Sequence, residues 1–245
     1  MEKKYEKRYH AIEESNWWFL GRRDIIMKLI RKVSKKAKIL DIGCAGGSLM
    51  KKLYSAGYIN VSGIDISKSA IKTCNERGLK TACVCNGMKT KYKENSFDIL
   101  IASDILEHCA NDELALSEWN RILKPNGILI LFVPAFQFLW SEHDVKNKHY
   151  RRYTYPIVKK ILEKNNFEIL RLSFWNAFAF VPKCIMAFFK ISEKTGDDMR
   201  HLPNRINSLL FNTLRLENNA ILSGIKLPLG VSLFIYAKKK TQTTT

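Results

Sequence analysis

Apolar residues recur along this chain in two rhythms. Between Arg22 and Lys38 the apolar positions Ile25, Ile26, Leu29, Ile30 and Val33 form one helical stripe, with basic residues around it. The run "AKILDIGCAGGSL" follows: a short apolar stretch, a Gly-containing turn, then Leu49, Met50, Leu53 and Tyr54 at helical spacing. This reads as strand, turn, helix. "YINVSGIDIS" repeats the unit, with a strand over Val61 to Ile66 and a helix carrying Ala70, Ile71 and Cys74. "SFDILIASDILEH" supplies a buried strand from Phe97 to Ala102, before a helix from Asp112 to Leu123. "LKPNG" reads as a helix stop and turn, and "ILILFVP" as a strand covered on both faces.

The pattern continues with "TYPIVKKILEKNNF", a helix with Thr154 at its N-cap, and "EILRLSF", a strand. Strand and helix units in alternation, with continuously apolar strands, predict an α/β fold with a doubly wound, mostly parallel sheet. The expected divisions are a helical lid over residues 1–38, a core over 39–173, an apolar helical insertion over 174–225, a final core strand over 226–240 and a disordered tail over 241–245.

At 245 residues the chain suits one well-buried domain with an insertion. Its net charge of +18 favours anionic partners by long-range attraction, although the lysines are spread along the whole chain. The six cysteines form no CxxC pair and no Cys/His set at zinc spacing, so they read as reduced core residues and no metal site is expected. "MEKKYEKRYH" offers no apolar signal segment, which points to a cytoplasmic protein. Phe174 to Ile191 is strongly apolar, but Pro182 and Lys183 interrupt it and it is short for a membrane span. A buried cap fits it best; a surface-lying contact with an anionic membrane is the alternative.

In a parallel sheet, ligands bind at the carboxyl ends of strands near the point where strand order reverses. Asp41, Gly43 and Gly47 lie on such a strand-to-helix turn, and Asp65 ends the next strand, where an acid accepts hydrogen bonds from ribose hydroxyls. Together they specify a nucleoside-containing cofactor. The turn reads Gly43-Cys44-Ala45-Gly46-Gly47 and not G-x-G-x-x-G, and Asp41 adds negative charge, so a cationic cofactor is the better partner than a pyrophosphate.

On these residues the chain resembles the class I S-adenosylmethionine-dependent methyltransferases, over roughly Ile39 to Pro134. "ILDIGCAGGSL" is similar to their first motif, "SGIDIS" to their ribose-binding acid, and "FDILIASDILEH" and "LKPNGILILFVP" to their later strands. The resemblance implies a Rossmann-like, seven-stranded sheet with an antiparallel last strand, and S-adenosyl-L-methionine as cofactor, released as S-adenosyl-L-homocysteine. It implies that Asp41, Gly43, Cys44 and Gly47 border the methionine portion, that Asp65 and Ile66 flank the ribose, and that Asn86, Gly87 and Met88 lie by the adenine. Ser103 to His108, including Leu106, would wall the pocket. Ala45 stands where the family has a glycine, and Asn86 where an acid is common. "EESNWWFLGRRDII" and "WSEHD...HYRRY" resemble a bacterial subgroup associated with cell-surface polysaccharide, glycolipid or secondary-metabolite pathways, which suggests a small-molecule, sugar or lipid-linked acceptor.

"WSEHDVKNKHYRRY" would then lie beside the methyl donor. Methyl transfer needs alignment of donor and acceptor and removal of a proton from an oxygen or nitrogen acceptor. His143 is the candidate base, oriented by Glu142 or Asp144, with His149 as second choice. Tyr150 belongs to the same substrate-lining loop, and Arg151 and Arg152 are candidates for a substrate carboxylate or phosphate. Trp17 and Trp18 are candidates for a lid on the acceptor, with Arg22 and Arg23 touching anionic groups, or for anchors of the first helix. His201 is a candidate for the pocket wall, or a surface residue. Two other functions compete with methyl transfer to a small acceptor. An RNA methyltransferase is favoured by charge and opposed by "SDILEH" in place of an N/D-P-P-aromatic turn; a noncatalytic, membrane-associated scaffold is favoured by Ala45 and opposed by Asp41 and Asp65.

Overall fold

The computed structural model describes residues 3–189 and 202–241. Its strands are β1 (Lys38–Ile42), β2 (Asn60–Asp65), β3 (Ala82–Val84), β4 (Phe97–Ser103), β5 (Leu123–Pro134), β6 (Phe167–Trp175) and β7 (Ser232–Lys239). They form one sheet in the order β3-β2-β1-β4-β5-β7-β6. The first five strands are mutually parallel, and β7 runs antiparallel between β5 and β6. Strand order reverses between β1 and β4, which opens a crevice at their carboxyl ends.

The helices are α1 (Lys3–Ile12), α2 (Trp17–Ile30), α3 (Ser48–Ser55), α4 (Lys68–Glu76), α5 (Asp112–Ile122), α6 (Glu142–Asn147), α7 (Tyr155–Lys164), α8 (Phe180–Phe188) and α9 (Asn204–Leu222). Strand residues alternate between the two faces of the sheet. Leu40, Leu100, Leu129 and Leu131 pack with Trp119 of α5 and Val158 and Leu162 of α7. Ile39, Ile99, Ile101 and Ile130 pack with Ile25, Ile26 and Ile30 of α2, with α3 and α4, and with Leu214 and Ile221 of α9. The interiors of β1, β4 and β7 and the second half of β5 are covered on both sides, which is why they read as unbroken apolar runs, whereas β3 and the first half of β6 are partly exposed.

Three sequence-based boundaries differ from the structure. The predicted lid over residues 1–38 is two things: α2 packs into the core through Ile25, Ile26 and Ile30 while its first turn borders the cavity, and α1, with Glu13 just past its end, reaches over the turn after β1. "LKPNG" does not interrupt the strand. Leu123 already pairs with Phe97, and an irregularity carries the pairing on to Ile128 and Ile99, with Asn126 at φ 61°. The insertion begins later than residue 174, because Phe174 and Trp175 are the last residues of β6 and pair with Leu233 and Ser232. Their aromatic character misled the assignment, since a strand between two covered faces is as apolar as a buried helix. His201, and residues 242–245 of the expected tail, lie outside the described residues.

Helices α2 and α9 come together where Gly21 faces the Leu214 side chain, with no room for a Cβ between them. Beside this contact the fully buried Asn218 accepts from Trp175 Nε1 (2.8 Å) and donates to Gly21 O and Asp24 Oδ2 (both 2.9 Å). One amide therefore ties α9, α2 and β6. Asn218→Leu strands an indole N–H and a buried carbonyl, and it is expected to lower unfolding free energy by ~3 kcal/mol. The check is a denaturant titration in which the midpoint falls at constant m.

Candidate active site

The turn after β1 carries Gly43 at φ 73° and Gly47 at φ 81°, backbone conformations that side chains resist. Ala45 adopts φ 48° between them, a cost that the loop's hydrogen bonds offset: its N–H donates to Asp65 Oδ2 (3.0 Å), while Asp65 Oδ1 accepts from Ser67 N–H (2.8 Å). Asp65 is thereby held at the mouth of β2 with lone pairs left over for ribose hydroxyls. Burial pushes its pKa up. Asp41 sits beneath, only 4% exposed, and burial, then the neighbouring Asp65 and Glu13 charges, raise its pKa to about 7. Asp41 is therefore not a fixed negative charge near neutrality in the ligand-free protein, contrary to the electrostatic argument from sequence.

Helix α1 latches onto this turn. Glu13 Oε2 accepts from Gly46 N–H (3.3 Å), Glu13 Oε1 pairs with Arg77, and Arg77 Nη1 donates to Gly46 O (2.6 Å). Arg23 Nη1 donates to Glu13 O and Ser48 Oγ (both 2.6 Å). A Cβ at Gly46 would collide with the Glu13 carboxylate. Farther along α1, Glu6 bonds to Ser67, and Glu6, Tyr9 and His10 line the cavity. Sequence reasoning missed these α1 residues because "MEKKYEKRYHAIEE" carries no motif and little apolar signal.

The cavity has a volume of about 640 Å³. Of the residues singled out from sequence, Gly43, Asp65, Ile66, Asn86, Gly87, Met88 and Ser103 border it at the cofactor end, and Trp17, Trp18, His143, His149 and Arg152 toward the other end. Asn86 Oδ1 accepts from Met88 N–H (2.9 Å) and Gly87 O from Trp119 Nε1 (2.9 Å), which fixes the turn after β3. Asp41, Cys44, Gly47, Leu106, Arg22, Arg23, Glu142, Asp144, Tyr150 and Arg151 do not border the cavity. Leu106 is core, Tyr150 turns its ring to solvent, and Glu142 pairs with Lys146 on the surface.

The four arginines expected to grip an anionic substrate are engaged by the protein itself. Arg22 is buried among the rings of Trp18, Phe132 and Trp175, 4.8 to 5.0 Å from their centroids, and pairs with Asp104. Arg23 holds α1, Arg151 pairs with Asp112 (2.9 Å), and Arg152 forks onto Asp144 through Nε (2.9 Å) and Nη2 (2.8 Å). Asp144 also accepts from Ser141 N–H (2.8 Å) and from His149 Nδ1 (2.8 Å). These hydrogen bonds outweigh burial and hold its carboxyl well below the usual carboxylate range. Asp144 thus orients His149, and Nε2 of the adjacent His143 meets Asn147 Nδ2 at 3.1 Å.

Two further residues of the wall, Glu107 and His108, follow Leu106 in a single 3-10 turn. Glu107 is fully buried, its carboxylate oxygens have no hydrogen-bond partner among the described residues, and burial followed by the Asp104 charge raises its pKa. His108 packs edge-on against His149, and burial, then that neighbouring imidazole, lowers its pKa to about 3. Although sequence spacing showed no metal-ligating set, donor atoms of Glu107, His108 and His149 all lie within 4.8 Å of one another. This grouping can surround a polar atom or a cation.

The wider comparisons agree with this geometry. The family profile described as "Methyltransferase domain" matches residues 40–131. The chain is 29% identical over 202 residues to a ubiquinone biosynthesis O-methyltransferase of Rickettsia typhi, covering 69% of this chain and 80% of the relative. Among solved structures, geranyl diphosphate methyltransferase in complex with S-adenosylmethionine superposes with TM-score 0.64 at 13% identity, covering 97% of this chain and 91% of that one. Phosphoethanolamine N-methyltransferase 2 of Haemonchus contortus, also with S-adenosylmethionine, superposes with TM-score 0.60 at 19% identity, covering 89% and 52%. The fold is that of the class I S-adenosylmethionine-dependent methyltransferases, and with its methyltransferase domain the chain is an S-adenosylmethionine-dependent methyltransferase. Within that class its core is the methyltransferase domain, and S-adenosylmethionine is its cofactor. The site suits that group: a backbone-lined turn, Asp65 for the ribose, and an acidic lining of Glu6, Asp65, Asp104 and Glu107 for a sulfonium.

Two outcomes test this geometry. Asp41 has a higher pKa folded than unfolded, so its contribution to stability is fully present below about pH 4 and is lost as pH rises through about 7. Asp41→Asn removes that dependence, and the ligand-free variant is expected to gain stability relative to wild type between pH 5 and 8, up to ~4 kcal/mol. Denaturant titrations across that range measure the difference. Glu13→Gln weakens the α1 latch, and release of S-adenosylhomocysteine in stopped-flow is expected to quicken by roughly tenfold, consistent with loss of a charge-assisted contact.

Proposed function

We propose that the protein methylates a hydroxyl oxygen of a small or lipid-linked acceptor, with His149 as the general base. The observation that carries this reading is the pairing of His149 Nδ1 with Asp144, which leaves Nε2 toward the cavity, 4.0 Å from Glu107 Oε1. A carboxylate on one ring nitrogen fixes the tautomer and stabilises the imidazolium formed when the other nitrogen takes a proton. Bound S-adenosylmethionine supplies an electrophilic methyl carbon on sulfur. The residues of this chain do the rest. His149 receives the hydroxyl proton as the oxygen–methyl bond forms, Glu107 and His108 crowd the acceptor oxygen toward one position, and Trp17, Trp18 and Leu139 shield the site from water.

Oxygen is preferred over nitrogen because the Rickettsia typhi relative is named as an O-methyltransferase. A phosphate-bearing or nucleic-acid acceptor gains little from a site whose arginines all serve protein partners. The direct test is transfer of labelled methyl from S-adenosylmethionine to a panel of hydroxyl and amine acceptors, including prenylated phenols and lipid-linked sugars. On the acceptor so found, His149→Gln is expected to lower kcat by roughly 10²- to 10⁴-fold, while S-adenosylhomocysteine affinity stays within about twofold. Full turnover in His149→Gln, with loss in His143→Gln, would return the role to His143.

A further inference from the structure

Helix α8 is the least buried element near the site. None of its nine residues is buried, although "FVPKCIMAF" is mostly apolar. Val181 and Ile185 are exposed, Phe188 is 82% exposed, and Phe189, which caps the helix, is 67% exposed. At its start the Phe180 ring meets those of Phe136 (5.5 Å) and Phe138 (6.4 Å). Phe138 itself is 59% exposed.

This apolar face is continuous with the rim of the active-site cavity. Ala179 and Lys183 line the cavity from α8 and its approach, as Leu139 does from the turn beside Phe138. On the other flank, Phe178 touches the Trp17 ring (5.6 Å), and Trp17 N–H donates to Asn207 near the start of α9, where Ile206 and Leu209 are exposed. Of the basic residues on these elements and beside them in the chain, Lys148, which ends α6, and Arg205 of α9 are exposed and Lys183 of α8 is half-buried. Among the described residues no helix is long and apolar enough to cross a membrane.

We infer that this face docks on the surface of an anionic phospholipid bilayer and sets the cavity mouth against the lipid. Apolar rings on one side of a short helix, with cations beside them, suit the boundary between headgroups and acyl chains. The net charge of +18 attracts an anionic surface and opposes the approach of a second copy of the chain. The covering partner is therefore anionic lipid. The inference does not depend on which atom is methylated; it concerns where the acceptor is met.

The test is co-sedimentation of the full chain with vesicles of phosphatidylcholine, with and without phosphatidylglycerol. The protein is expected to pellet with the mixed vesicles at low salt, to remain in solution with pure phosphatidylcholine, and to be released at about 0.5 M salt. Phe188→Ser/Phe189→Ser is expected to weaken vesicle binding by at least roughly tenfold. Neither residue borders the cavity, so S-adenosylhomocysteine affinity should be unchanged, and that measurement also shows the variant is folded. Failure of the wild type to pellet with phosphatidylglycerol overturns the inference, as does equal pelleting of the folded variant. A wild-type dimer in light scattering that the double substitution converts to monomer overturns it too, since a second copy would then cover the face.

Discussion

A carboxylate that stays ionised out of water needs hydrogen-bond donors for its oxygens, and Asp144 meets that requirement in a way that organises one wall of the cavity. Its two oxygens collect the Arg152 fork, the Ser141 N–H and hydroxyl, and the His149 imidazole. Each donor comes from a different part of one loop. Satisfying the charge therefore closes the loop on itself, seats Arg152 against Ala135 O at the end of β5, and turns one face of His149 toward the cavity. Removing any donor would leave a buried charge short of partners, so the loop behaves as a unit. The orientation of His149 and the conformation of the loop follow from the same pairing.

The fold was legible in the sequence wherever burial on both faces of the sheet produced unbroken apolar runs and where glycines marked the turns. That Gly43, Asp65 and the Asn86 turn share one cavity was legible for the same reason, since they lie on consecutive strand ends whose order fixes their place. The acceptor end was not. His143 and Asp144 adjoin in sequence, but neighbours on a helix point about 100° apart, so their side chains cannot share a hydrogen bond easily. His149 returns to Asp144 because Lys148 adopts φ 59°, a left-handed residue that ends α6 and folds the chain back. Nothing in "DVKNKHY" announces that reversal. Arg22 and Arg151 failed as predictors for a related reason: their partners, Asp104 and Asp112, are distant in sequence, and charge alone does not reveal whether it is already matched.

The contrast between the whole molecule and its cavity is physical and not accidental. The chain carries an excess of basic residues, whereas the cavity is lined by four acids against Lys183 and Arg152, and Arg152 is held by Asp144. A positively charged exterior acts over distances of the order of a Debye length, about 10 Å at moderate salt, and so governs approach. The acidic interior acts at contact and governs what remains. An enzyme with a sulfonium donor needs the second property, and the first is free to serve another purpose.

The position of β7 has a consequence for how the protein comes into being. This strand lies between β5 and β6, yet it follows both along the chain, and Val231 and Ser232 at its start form part of the cavity wall. Until it arrives, β6 has no partner in the sheet and the inner edge of β5 is open. A ribosome releasing the chain from its N-terminus can thus assemble the five parallel strands first, but the remaining third of the sheet waits for the last segment to thread between two strands already made. Completion of the catalytic chamber and closure of an aggregation-prone edge are consequently a single late event.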